Sequence, residues 1–412
     1  MSWEKKTLDQ LGSVSRGKSK HRPRNDPKLF GGQYPFVQTA DVKNANFYIT
    51  EYSDTYNETG LAQSKLWDVG TLCITIAANI ADTGILAIPA CFPDSIIGFI
   101  PYGGISDVRF VKYCFDMLQQ DCKQISQGTA QDNLSWQKLS TIEFPAPPIE
   151  TQRRIADILS AYDDLIENNR KQIKLLEEAA QRLYKEWFVD LRFPGHEHTK
   201  IVDGVPEGWE RKTVAECLIF HRNGGWGKEA PIGKHEYPGK VIRGTDIEEI
   251  KCGHFKDIPM RYHTEGDIKK RMLHIHDIVF ELSNGNINNI GRSLFIDNFV
   301  LQNCGNNTIC ASFCKLLRPA NPLIALTLYL EIQDMQLSGR MLPYKKNGAN
   351  GINNFAFEEF LAHSLLVPKN EKLVEPFVRI KTKVSTIQGQ LALLEEARDR
   401  LLPKLMSGEI EV

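Results

Sequence analysis

Long apolar runs are what this 412-residue chain most plainly lacks: no stretch approaches the eighteen or so apolar residues that a membrane-spanning helix needs. The opening Met1-Ser2-Trp3-Glu4 has neither the basic nor the apolar region of a signal peptide. Nine cysteines, an odd count, are scattered without one Cys-x-x-Cys pair, which argues against a disulfide framework and for reduced thiols. These absences lead us to expect a cytoplasmic protein with no membrane association. Excess charge is missing too. With a net charge of −1, any affinity for nucleic acid has to come from local basic patches. An ordinary balance of 42% hydrophobic and 25% charged residues argues against disorder, and the length leaves room for two or three domains.

Catalytic constellations are equally scarce. Gly12-Ser13-Val14-Ser15-Arg16-Gly17-Lys18-Ser19 fits the phosphate-loop pattern letter for letter. That chemistry needs a helix opening at the lysine, and Pro23 and Pro27 leave no room for one. His274-Ile275-His276, His196-Glu197-His198 and Cys310-x-x-x-Cys314 lack the four-ligand spacing of structural zinc. A nuclease would show an acidic cluster with lysine, but only Pro93-Asp94 and the distant Asp121-Cys122-Lys123 come near it. A methyltransferase would need a glycine-rich cofactor loop and a motif gripping a flipped base, and the nearest approach, Asn321-Pro322-Leu323, is a helix start. We therefore expect no catalytic, cofactor or metal residues, and read a binding protein.

What is present is a duplication. Leu175 to Leu183 reads LLEEAAQRL and Leu393 to Leu401 reads LLEEARDRL. Stepping by seven, Ile155, Tyr162, Asn169, Leu176 and Leu183 correspond to Leu373, Ile380, Ile387, Leu394 and Leu401. Positions four residues later agree as well: Leu159, Ile166, Ile173, Ala180 and Trp187 against Phe377, Val384, Leu391, Arg398 and Leu405. Five heptads with polar residues elsewhere predict two long helices, each with an apolar stripe that the other is suited to cover. About 35 residues at 1.5 Å rise give a rod of about 50 Å, the contour of no more than about fifteen base pairs. Asn169 is either a register-setting polar residue or one facing water where the pairing loosens.

The repeat extends to the rest of the chain. Trp3-Glu4-Lys5-Lys6-Thr7-Leu8 recurs as Trp209-Glu210-Arg211-Lys212-Thr213-Val214, and Phe36 to Val42 recurs as Val241 to Ile247. Asp68-Val69 before a β-rich run matches Asp277-Ile278, and Thr83-Gly84-Ile85-Leu86 is set against Ile290-Gly291-Arg292-Ser293. Helices are predicted near Asp107 and near Asn321-Pro322. Gly/Asn-rich turns at Gly128 to Leu134 and Ala349 to Phe355 then lead through proline-ended strands into the rods. The chain reads as globule, rod, globule, rod, with both globules α+β.

The loop after the first strand is where the halves diverge. In the first half Arg16, Lys18, Lys20, Arg22, Arg24 and Lys28 stand against the lone Asp26; in the second the loop is His221-Arg222-Asn223-Gly224-Gly225-Trp226-Gly227-Lys228. Such a loop is either merely solvated surface or a phosphate-binding edge. By repeat position the candidate DNA-binding residues are Arg16, Lys18, Lys20, Arg22, Gln38 and Thr39 in the first half. Arg222, Asn223, Lys228, Arg243 and Thr245 are their counterparts in the second.

Over its full length the chain resembles the specificity subunits of type I restriction-modification systems. The resemblance rests on the tandem architecture, the two Trp-led openings, Pro147-Pro148-Ile149-Glu150-Thr151-Gln152-Arg153 with LLEEA, Glu186 to Gly195, and the ending Lys404 to Glu409. Pro368-Lys369-Asn370-Glu371 departs from the family's Pro-Pro-x-x-Glu-Gln pattern at the second rod. It implies an α+β fold of two pseudo-symmetric target recognition domains, residues 1–147 and 193–367. Each is followed by a helix, 148–192 and 368–412, and the helices pair as an antiparallel coiled-coil spacer. It further implies a non-catalytic subunit reading a bipartite double-stranded DNA target, major-groove base edges included, as part of host defence. Two methylation subunits carrying S-adenosylmethionine would dock on it, and restriction subunits using ATP and magnesium would join them, so that the cofactors belong to the partners. A coiled-coil scaffold without DNA specificity is the alternative.

Overall fold

The structure, a computed structural model, describes residues 3–76, 81–125, 136–348 and 351–412. The chain divides into two compact units, Met1–Asn168 with Leu394–Val412, and Asn169–Leu393. The whole of the predicted turn at Gly128 to Leu134, and Ala349-Asn350 of its counterpart, lie outside the described residues.

In the first unit a five-stranded sheet runs in the order Gly12–Arg16, Ile96–Pro101, Leu72–Thr75, Thr83–Leu86, Tyr48–Ile49, antiparallel except for the last pair. Alternation along its strands builds two cores at once. Leu72, Ile74, Ile97 and Phe99 point into one cluster with Phe110, Phe115 and Phe144, whereas Cys73 and Ile96 join Trp67 and Phe92 in another. Gly98 faces the Trp67 indole so closely that a Cβ there would collide with it. Beside the sheet, Phe30–Phe36 pairs antiparallel with Asp54–Tyr56 and parallel with Ala90–Cys91. The helix Val108–Ile125 follows Asp107, whose carboxylate accepts the Arg109 and Phe110 N–H groups.

The second unit repeats this topology. Its main sheet runs Leu218–Asn223, Cys314–Pro319, Ile278–Glu281, Ser293–Phe295, and beside it Tyr237–Ile242 pairs antiparallel with Met260–His263 and parallel with Ile309–Cys310. Ile278, Phe280 and Leu317 face the helix Pro322–Ser338, while Val279, Leu316 and Cys314 face the opposite cluster. Asn321 caps that helix through its side chain, 2.9 Å from the Ile324 nitrogen. Short helices after the first strand open on capping boxes in both units, Thr7 with Gln10 and Thr213 with Glu216. One correspondence needs correcting: opposite Ile74 stands Thr83, and opposite Phe280 stands Ser293, so Thr83 matches Ser293 and not Ile290. Gly84 and Gly291 are therefore unrelated; the glycine spacing imitated a register that the ladders do not keep.

Ile149–Tyr184 and Glu375–Met406 form the two long helices. Their pairing is antiparallel within each unit: Ile155, Ala156 and Leu159 cluster with Leu402, Leu405 and Met406, and Tyr184 and Trp187 pack on Phe377. The stripe is phased differently from the first column of heptads. Ile155, Asn169 and Ile387 are buried, but Tyr162, Leu176, Leu183, Ile380, Leu394 and Leu401 are only partly so. The seam proper is the second column, Leu159, Ile166, Ile173, Ala180, Phe377, Val384, Leu391 and Leu405, all buried. Leu373 lies in a 3-10 turn before the helix, and Trp187 in a wider π turn, Lys185–Val189, after the other. Asn169 is buried, so it does not face open water. In the first unit the helix also covers the globule, which buries Gln152, Ala156 and Asp163 outside the heptad columns. Gln152, from the Pro-Pro motif, donates to the Ile105 and Pro147 carbonyls, both at 2.9 Å, and accepts from Asp107 N–H, fixing the start of the helix.

Polar residues lock the pairing in the first unit and, in the second, tie the first long helix to the globule. Arg398 takes a seam position and meets Asp163 at 2.7 Å, whose other oxygen accepts the Tyr113 hydroxyl. In the second unit Glu331 accepts from Tyr184 at 2.7 Å, Arg340 at 2.9 Å and His363 at 2.8 Å.

Candidate nucleic-acid interface

Each main sheet has an edge strand that runs straight into a loop, and the same backbone device aims both loops. In the first unit Gly17 N–H donates to Ile96 O at 2.8 Å and Lys18 N–H to Phe92 O at 3.0 Å. In the second, Gly224 N–H donates to Cys314 O and Gly225 N–H to Cys310 O, both at 2.9 Å. The glycine is obligatory in both: a Cβ on Gly17 would collide with the Pro93 and Phe92 carbonyls, and one on Gly224 with those of Cys310 and Ala311. The loops thus leave equivalent strands at equivalent points while their side chains differ.

The first loop is cationic and well anchored. Arg16, Lys18, Lys20, Arg22, Arg24 and Lys28 are all exposed. Ser19 is buried between them, and Lys18 O accepts the Ser64 hydroxyl at 2.7 Å. Arg22 donates to the Ser19 carbonyl at 2.7 Å and lies 3.7 Å from Asp94, which also pairs with Arg24. Sequence reasoning took Asp26 as the only acid here; the sheet connection brings up Asp94 from 70 residues away. Asp26 itself accepts Lys28 N–H and contacts His21 at 2.9 Å, which together hold its carboxyl below the usual range. Arg16, Lys18 and Lys20 have no ion-pair partner among the described residues. The strand occupies Gly12–Arg16 and no helix opens at Lys18, so the phosphate-loop pattern has no phosphate-loop geometry.

The second loop starts with Asn223, exposed, whose carbonyl accepts from Arg271 at 3.2 Å. Arg222 lies over the Phe220 ring at 5.2 Å, half-buried, and among the described residues its Nε has no hydrogen-bond partner. Lys228 is exposed, its backbone bridged both ways to Tyr262 at 2.8 and 2.9 Å. Here too the sheet adds residues that the linear pattern did not reveal, Arg261 and Arg271, which reach the loop from 33 and 43 positions beyond Lys228. The Lys228–Tyr262 bridge, an extension of the pairing of Tyr237–Ile242 with Met260–His263, puts Arg261 there.

The remaining candidates have local work. Gln38 and Arg243 occupy the same place in the two units: their backbone N–H groups donate to Asp41 and Asp246, both at 2.7 Å. Gln38 Nε2 donates to Asp54 at 2.6 Å, and the Arg243 guanidinium is held by Asp246 and the Asp257 carbonyl, which raises its pKa. Thr39 is half-buried in the first turn of its helix, whereas Thr245 is exposed ahead of Asp246–Lys251. None of the four lies in the loops themselves.

Chemically, these surfaces offer guanidinium, ammonium and amide groups, suited to phosphate oxygens and base edges. Among the described residues no three His, Cys, Asp or Glu side chains gather as metal ligands, and no helix is long and apolar enough to cross a membrane.

Residues 1–178 match the family model of the type I restriction modification DNA specificity domain. The chain is 26% identical to the specificity subunit of the type I restriction enzyme MjaIX of Methanocaldococcus jannaschii, over 100% of this chain and 94% of the relative. It is 32% identical over 115 residues, 28% of this chain and 27% of the relative, to the MjaVIII specificity subunit of the same organism. A crystal structure of a type I restriction-modification S subunit from M. genitalium shares the fold, with TM-score 0.58 at 17% identity, covering 98% of this chain and 96% of that one.

Proposed function

We propose that this chain, a member of the type I restriction-modification specificity-subunit family, reads a bipartite DNA target with its two units and carries the methylation subunits on its paired helices. The observation that supports the reading best is the repeated edge strand. One sheet, duplicated, presents two loops from the same backbone position with unlike side chains, as two readers of two different half-sites require. In the first unit Arg16, Lys18, Lys20 and Arg22 take phosphates and guanine edges. In the second, Arg222, Asn223 and Lys228 do so, and Asn223 suits adenine. Gln38, Thr39, Arg243 and Thr245, outside the loops, are the further DNA-binding candidates, with Gln38 and Arg243 held in place by Asp41 and Asp246. The helices, 36 and 32 residues long, serve as the spacer and docking surface. Methyl transfer from S-adenosylmethionine and ATP- and magnesium-dependent restriction belong to the partner subunits, acting on DNA in the cytoplasm.

The test is long-read methylation sequencing of two strains that both express the cognate methylation subunit, one of them lacking this chain. Loss of a split N6-methyladenine motif from the strain without the chain is expected. An unchanged methylation pattern, together with no DNA binding at low salt, would favour the scaffold without DNA specificity instead.

A further inference from the structure

The two loops differ most at the second position after the pinned glycine. There the first unit has Ser19, which is buried, and the second has Trp226, which is 39% exposed. The backbone on either side of Trp226 is fixed. Gly225 N–H is bound to Cys310 O, Gly227 takes a φ of +74°, and Lys228 N–H is bound to Tyr262 O at 2.9 Å. A side chain at Gly227 would press on the Tyr262 carbonyl and the His263 ring, so the loop can hold this shape only with glycine there. One face of the indole is covered by the Arg261 guanidinium, 4.9 Å from the ring centroid, which is held in turn by Glu229 at 3.2 Å. Arg271 anchors the base of the loop, and Lys228 follows two residues on.

The result is an aromatic plate held on a fixed backbone, with a cation over one face, 39% of its surface exposed and exposed positive charge alongside. An aromatic left in water on an immobile loop gives up burial that it could otherwise have. Stacking on a nucleobase recovers it, and cations around the plate suit the phosphates flanking that base. We infer that Trp226 inserts at a base step of the second half-site and stacks on a base there, an unstacking contact that the first unit, with Ser19 buried at the matching position, does not make. This rests on the DNA-reading function proposed above.

The experiment uses the full chain assembled with its methylation subunits, and short duplexes carrying the strain's own methylated motif. 2-Aminopurine is placed in turn at positions of the second half-site. Trp226→Ala is expected to weaken binding about 10- to 100-fold, the range for losing one stacked base. The slope of log affinity against log salt should stay unchanged, because no phosphate contact is removed. Trp226→Phe should restore most of the affinity. At one step of the second half-site 2-aminopurine fluorescence should change with the wild-type chain and with Trp226→Phe but not with Trp226→Ala, falling where the indole stacks on the probe and rising where the probe loses its neighbour. Trp226→Ala binding within twofold of wild type would overturn the inference and leave the DNA-reading function standing. So would an affinity loss without any 2-aminopurine response, since the ring would then pack without insertion. Failure of the wild-type assembly to prefer its motif over random duplex would overturn both.

Discussion

Replacing Arg398 by Met should destabilise the first unit by about 3 kcal/mol, because the change strands a buried carboxylate. Asp163 has 8% of its side chain exposed and, among the described residues, is hydrogen-bonded by Arg398 at 2.7 Å and the Tyr113 hydroxyl. Removing one member of a buried ion pair costs roughly 3–5 kcal/mol; we place this site at the low end because 28% of the Arg398 side chain is exposed and water can reach the carboxylate. Met fills much of the same volume, so little of the loss comes from packing. With an m-value of about 2 kcal/mol per molar urea, the midpoint of the transition that involves this unit should fall by about 1.5 M. Asp163→Leu should also destabilise, though less, because Arg398 keeps its pair with Asp399 at 2.9 Å and is partly exposed. The double variant Asp163→Leu/Arg398→Met should recover to within about 1 kcal/mol of wild type, as buried pairs replaced by apolar ones commonly do. Urea titrations of the three variants, followed by far-ultraviolet circular dichroism, close the cycle. A single variant within 0.5 kcal/mol of wild type, or a double variant at the sum of the singles, would refute the reasoning.

Acid should weaken the second unit through Glu331. Burial alone would raise its carboxyl pKa, but the hydrogen bonds from His363 and Arg340 and the charge of Arg340 outweigh that and bring it to about 2. A depressed folded-state pKa contributes stability above the unfolded value and loses it as pH falls; here, on the order of 2–3 kcal/mol should disappear between about pH 5 and pH 2. Thermal unfolding against pH should show that slope in wild type and a flatter one in Glu331→Gln. Lys18→Ala with Lys20→Ala should lower the salt slope of DNA binding by about 2 without changing the preferred sequence, as fluorescence anisotropy at several salt concentrations will show. Gly224→Ala should cost about 1–3 kcal/mol, because its Cβ meets two carbonyl oxygens that cannot both retreat. Methylation sequencing should then show degeneracy confined to one half of the motif.

Periodicity and repetition made most of the architecture legible. Two long helices, the helix starts at Asp107 and Asn321-Pro322, and the equivalence of Gln38 with Arg243 could all be read from patterns that act locally, whereas the antiparallel pairing came from the family resemblance. The heptad phase was harder. A column containing Tyr162, Leu176 and Leu183 looks as apolar as one containing Leu159, Ile166 and Ile173, and only three-dimensional packing selects the second as the seam. The match of Gly84 with Gly291 misled because short buried strands carry no register of their own; the ladders set it. At the candidate interface the loops were visible as charge and glycine, but their partners were not. Asp94, Arg261 and Arg271 arrive through pairings tens of residues apart, which no linear pattern encodes. Arg398 interrupts a hydrophobic column, and the reason, Asp163 lying 235 positions earlier, is purely tertiary.

The most direct test exchanges residues 1–147 for the corresponding part of a relative whose methylated motif is known, then sequences methylated DNA from cells expressing the hybrid with its methylation subunits. One half of the motif should become the relative's, while the other half and the number of unread base pairs between them stay as in the parent. A hybrid that changes both halves, or neither while remaining active, would contradict two independent readers set on one duplicated frame.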